Sequence, residues 1–82
     1  LALIKLTRKV VDRTPVQIAK TAVHMGEKLS MIGYPLGIPQ KIVDDGKVTA
    51  PSESNYSFQH DLDSFSCNSG GPIFNAKGEQ VG

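Results

Sequence analysis

The chain has one cysteine, no tryptophan, only two tyrosines and three phenylalanines, and no excess of either charge. A single cysteine excludes an internal disulfide, so any fold must be held by packing and backbone hydrogen bonds. Nine Lys and Arg against eight Asp and Glu leave a net charge of +1, so nothing argues for a nucleic-acid partner. Lys5, Arg8, Lys9 and Arg13 lie close together, but Asp12 interrupts them, as on an ordinary solvated surface. No apolar run approaches the roughly 20 residues of a membrane-spanning helix, so no membrane partner is expected. Internal repeats and low-complexity tracts are missing as well. At 82 residues the chain can form one domain with a modest core.

What is present centres on Cys67-Asn68-Ser69-Gly70-Gly71-Pro72, followed by the apolar pair Ile73-Phe74. A serine between an asparagine and two glycines, at a turn leading into an apolar run, can serve as an exposed nucleophile. Attack on an acyl carbon needs the hydroxyl held still and backbone N–H groups aimed at the developing oxyanion. Glycine allows that close approach because it has no Cβ and reaches positive φ cheaply. The same string also suits a plain turn before a strand.

Around this stretch the chain reads as short strands separated by turns. Leu1 to Leu6 is apolar enough for a buried strand, with Lys5 outward. Pro15 breaks the mixed segment that follows, and a short amphipathic helix over Val16 to Val23 competes with an extended connection. Gly26-Glu27-Lys28 is a turn, and Leu29 to Tyr34 a strand closed by Pro35 and Gly37. Residues 39–50 read as a hairpin about Asp44-Asp45-Gly46, a turn signal of the Asp-Gly kind. Asn55 to Leu62 alternates around Tyr56, Phe58 and Leu62 and leads into the serine loop. A final hairpin spans Pro72 to Gly82 about Ala76-Lys77-Gly78. The fold class is all-β, a barrel or a sandwich.

The segment from His60 to Asn75 resembles the nucleophile loop of trypsin-like serine peptidases, closest to the bacterial branch that includes the glutamyl endopeptidases. Leu1-Ala2-Leu3-Ile4-Lys5-Leu6 resembles the strand that follows the catalytic aspartate of that family. Leu29 to Pro35 and Asn75 to Gly82 resemble its second-barrel strands and the hairpin after the nucleophile. The resemblance implies a chymotrypsin-like two-barrel fold, of which this chain holds mainly the second barrel, incomplete at both ends. Residues 1–20 would then be the end of the first barrel and the connection, and 21–82 a partial second barrel. It further implies a serine endopeptidase with a polypeptide substrate, no cofactor and no metal, in a secreted or periplasmic protein. The missing N-terminal barrel is needed to complete the site.

By the same resemblance Ser69 is the nucleophile, and the N–H groups of Cys67 and Ser69 are the oxyanion donors. The family's histidine and aspartate precede such a serine in the chain. The aspartate would fall just before Leu1 and the histidine further upstream, so the isolated chain is expected to be inactive. Neither histidine present takes their place: His24 sits at a variable surface position, and His60 precedes the serine where the branch's substrate-binding histidine follows it. His60, Asp61 and Asp63 have metal-ligand side chains but no ligand spacing. Asp63, six residues before Ser69, matches the base of the family's primary specificity pocket and implies a preference for basic side chains. Cys67 departs from the family, which has glycine there. A side chain can oppose the backbone conformation of the hole or crowd the scissile carbonyl. Cys67 as the nucleophile is out of register by two residues.

Asn55-Tyr56-Ser57 matches a glycosylation acceptor, a triplet that also arises by chance. Two other readings stand beside the peptidase. One is a non-catalytic pseudo-peptidase that binds peptides along a sheet edge. The other is a partial reading frame without independent stability.

Overall fold

The computed structural model describes residues 2–51 and 56–82. It is all-β, as expected: an antiparallel sheet with a single short 3₁₀ turn and no α-helix among the described residues. The strands are β1 (Lys28–Gly33), β2 (Lys41–Ala50), β3 (Gln59–His60) and β4 (Ile73–Asn75), in the order β3-β2-β1-β4. This architecture is consistent with part of a chymotrypsin-like barrel.

β1 is the central strand, and its sequence explains why. Leu29, Met31 and Gly33 alternate inward while Lys28 stays in solvent, the period of two that a one-sided strand requires. Leu29 and Met31 join Val48 of β2 and Leu62, just past β3, in a small buried core. Val23, Val43, Phe58, Ile73 and Val81 close over it. At roughly 1.5–3 kcal/mol for each fully buried apolar side chain, these four residues supply most of the local driving force.

The final hairpin forms as read. Asn75 N–H donates to Glu79 O at 2.9 Å, and Val81 N–H to Ile73 O at 2.8 Å. The sheet then continues past it. Ala19 N–H donates to Gln80 O at 2.9 Å and Gln80 N–H to Gln17 O at 2.8 Å, in a parallel bridge at Ile18. Residues 17–19 are therefore extended, and the helix considered over Val16 to Val23 is not formed.

The structure corrects three further expectations. Residues 39–50 are not a hairpin: β2 runs unbroken from Lys41 to Ala50. Asp44-Asp45 is instead a bulge, since β1 advances from Leu29 to Met31 while its partner moves from Gly46 to Val43. Gly46 is buried under Leu62, whose side chain occupies the space a Cβ would need. The glycine serves close packing and not a turn. Residues 2–6 of the expected first strand are not a strand either. Leu3 is fully exposed and Ile4 80% exposed, because no backbone among the described residues lies beside them. Among the described residues of the expected Asn55–Leu62 strand only Gln59–His60 is β-strand, and Asn55, the first residue of that strand and of the glycosylation triplet, lies outside the described residues.

Candidate active site

Ser69 lies on the exposed loop between β3 and β4, and its two flanks explain why the loop holds its shape. Upstream, Asn68 N–H reaches Phe65 O at 3.4 Å; downstream, Gly71 N–H reaches Asn68 O at 2.9 Å. Gly70 has φ +84, which glycine reaches without strain, whereas Cys67 takes φ +74 with a side chain in place. A non-glycine residue in the left-handed region costs of order 1–2 kcal/mol, so the rest of the loop holds Cys67 there. Among the described residues, neither the Cys67 nor the Ser69 N–H has an acceptor.

The loop rests on the end of β1 and on the turn that follows. Ile32 N–H donates to Pro72 O at 3.4 Å. Gly33 is buried against the Asn68 carboxamide, which fills the space a side chain would take. Across the loop, a Cβ on Gly71 would come within 2.8 Å of Ile32 O and 3.0 Å of Asn68 O. Leu36, in the 3₁₀ turn Pro35–Gly37, donates its N–H to Ser66 O at 2.8 Å. Leu36 has φ +56, and with Cys67 it makes the only two non-glycine residues of positive φ among those described.

Two hollows flank the loop. That around Ser69, about 470 Å³, is formed by Tyr34, Gln40, Cys67, Asn68 and Gly70 among others, with no histidine or carboxylate among the described residues of its wall. Its neighbour, about 330 Å³, holds Asp63 between Met31, Leu36, Ile42 and Phe65, with Lys41 in the same wall. Asp63 and Ser69 thus face different hollows, and Asn68 and Gly33 stand in the wall of both. The Asn68 Oδ1 is buried without a hydrogen-bond partner among the described residues.

The remaining candidates do structural work. His60 accepts the Leu62 N–H on Nδ1 at 3.2 Å and meets the Phe58 ring edge-on. Asp61 accepts the Lys47 N–H at 2.6 Å, and Asp61 N–H donates to Lys47 O at 3.2 Å, which ties β2 to the start of the serine loop. His24 is exposed, and its N–H donates to the Glu27 carboxylate at 2.9 Å. Sequence reasoning missed Gly33 and Leu36 as parts of the site. The Gly33-Tyr34-Pro35-Leu36-Gly37 string was the available signal, and it reads most simply as the close of a strand.

No curated protein and no solved structure matches the chain. The family model described as trypsin-like peptidase domain matches residues 1–82, and the chain belongs to that family of peptidases.

Proposed function

We propose that this chain is the nucleophile-bearing part of a serine endopeptidase, with Ser69 as the acyl acceptor. The observation that carries the reading is the Ser69 loop itself. It presents an exposed serine between two left-handed positions, Cys67 and Gly70, beside two N–H groups that have no acceptor among the described residues. In the reaction the Ser69 hydroxyl attacks a peptide carbonyl and gives its proton to a histidine base. The N–H groups of Cys67 and Ser69 hold the oxyanion. The C–N bond then breaks, the amine leaves with that proton, and water hydrolyses the acyl-enzyme by the same steps in reverse roles.

The base and its orienting carboxylate come from outside these residues, on a first barrel that also completes the fold. Exposed Leu3, Ile4, Leu6 and Val11 around a four-residue core support this, since they are the apolar surface such a barrel would cover. Residues 1–20 then form the end of the first barrel and the connection, and 21–82 the partial second barrel. Asp63 is the residue that selects a basic substrate side chain, in the hollow next to that of Ser69. The Asn68-Ser69-Gly70-Gly71-Pro72 string supports the bacterial branch related to glutamyl endopeptidases, and with it a secreted or periplasmic protein.

Cys67 favours a second reading, a pseudo-peptidase that binds peptides without cutting them, because a residue larger than glycine lines the Ser69 hollow. Peptide cleavage by the chain expressed with its upstream coding residues separates the two. The peptidase reading expects cleavage that Ser69→Ala abolishes. Binding without cleavage, with cleavage appearing on Cys67→Gly, supports the second.

A further inference from the structure

The hydrogen bond from Leu36 to Ser66 carries a consequence for the neighbouring peptide. A trans peptide is planar, and its C=O and N–H point in opposite directions. The carbonyl of Ser66 and the N–H of Cys67 belong to one such plane. Fastening the Ser66 oxygen to Leu36 N–H at 2.8 Å therefore fixes the bearing of the Cys67 N–H. A flip of this plane would break that bond and reverse the direction of the N–H.

The turn that supplies the donor is itself strained and held. Leu36 sits at φ +56, and the turn around it is closed by Gly37 N–H to Tyr34 O at 3.2 Å and Ile38 N–H to Pro35 O at 3.1 Å. Pro35 is buried beneath it. The two strained non-glycine residues thus stand at the two ends of a single hydrogen bond, Leu36 as its donor and Cys67 next to its acceptor. Backbone strain persists only where surrounding structure over-determines it, and it concentrates where geometry serves a task. Leu36 contributes through its backbone; its side chain is 65% exposed and is not what holds the loop.

We propose that the Leu36 N–H is a positioning group that sets the direction of the Cys67 N–H, and with it the oxyanion donor. This rests on the reading of Ser69 as the nucleophile. It also explains how a cysteine can stand where the family has glycine. The left-handed backbone that glycine would adopt freely is imposed on Cys67 from across the loop.

Two variants of the 82-residue chain test it by amide NMR and hydrogen exchange. Leu36→Gly keeps the N–H and suits positive φ. It should leave the residue 36 amide protected and the Cys67 amide signal in place. Leu36→Val places a β-branched side chain where φ is positive, an outlier conformation. It should speed exchange at residue 36 by about tenfold, as loss of an ordinary hydrogen bond does. The Cys67 amide should shift with it, while Val48 in the core stays protected. An unmoved Cys67 signal despite lost protection at residue 36 would overturn the proposal. So would an unprotected residue 36 amide in the parent chain or in Leu36→Gly, and that arm decides the matter if Leu36→Val unfolds. In the chain expressed with its upstream residues, Leu36→Val should lower kcat on the order of 10²-fold with KM little changed. No reaction at Ser69 in that longer protein, with the NMR results as expected, would reject the nucleophile and leave the positioning intact. Unchanged kcat with a displaced Cys67 amide would reject the catalytic role of the positioning.

Discussion

Gly33 and Asn68 meet with no room for a side chain between them: the Asn68 carboxamide occupies the place of a Gly33 Cβ. One residue ends the central strand and the other precedes the serine. The contact therefore transmits the position of β1 to the loop. Gly33→Ala should destabilise the chain by about 1–3 kcal/mol, as overpacking of a filled site does. Asn68→Ala should reduce that cost to below about 0.5 kcal/mol, because it empties the contested space. A double-mutant cycle in urea reads both, and equal costs in the two backgrounds would reject the contact.

Cys67→Gly should stabilise the chain. At φ +74 the cysteine carries about 1 kcal/mol of strain that glycine does not, partly offset by the greater freedom of glycine in the unfolded chain. A thermal melt should move upward by a few degrees for a domain of this size. A lower midpoint would mean that the thiol makes packing contacts worth more than the strain.

Gly46→Ala should be among the costlier single methyl additions in the molecule. Its Cβ would enter the Leu62 side chain, in a core whose other buried hydrophobics are Leu29, Met31 and Val48. The expected loss is about 1–3 kcal/mol by urea titration. A loss under about 0.5 kcal/mol would mean that β2 and Leu62 can part easily.

Asn75→Ala should weaken the hairpin after the serine loop. The Asn75 side chain accepts the N–H groups of Lys77 at 3.0 Å and Glu79 at 2.9 Å, and donates to the Glu79 carboxylate at 2.9 Å. Losing these bonds should cost about 1–2 kcal/mol and speed exchange at the Glu79 amide. Unchanged exchange there would show that Gly78, at φ +79, shapes the turn by itself.

The parts of the molecule legible in its sequence were those set by local pattern. The alternation of Leu29, Met31 and Gly33 gave β1, and the Asn75 to Gly78 turn residues gave the last hairpin. The serine loop announced itself through Asn68, Gly70, Gly71 and Pro72. What was not legible depends on contacts between distant segments. Gly46 follows two aspartates and reads as a turn, but its lack of a Cβ makes room for Leu62, sixteen residues on. Leu36 is a residue type that rarely adopts positive φ, so no pattern signals its N–H as the partner of Ser66. Leu1 to Leu6 is strand-like in composition, yet composition cannot provide the neighbouring backbone that a strand needs.

The most direct test of the account is covalent labelling by a fluorophosphonate, mapped by mass spectrometry. Two samples are compared: the 82-residue chain, and the same chain expressed with the residues encoded upstream of Leu1. The account predicts no label on the first and a label on Ser69 in the second, lost in Ser69→Ala. Label on Ser69 in the 82-residue chain, or none in a longer protein that carries the histidine and the aspartate, would contradict it.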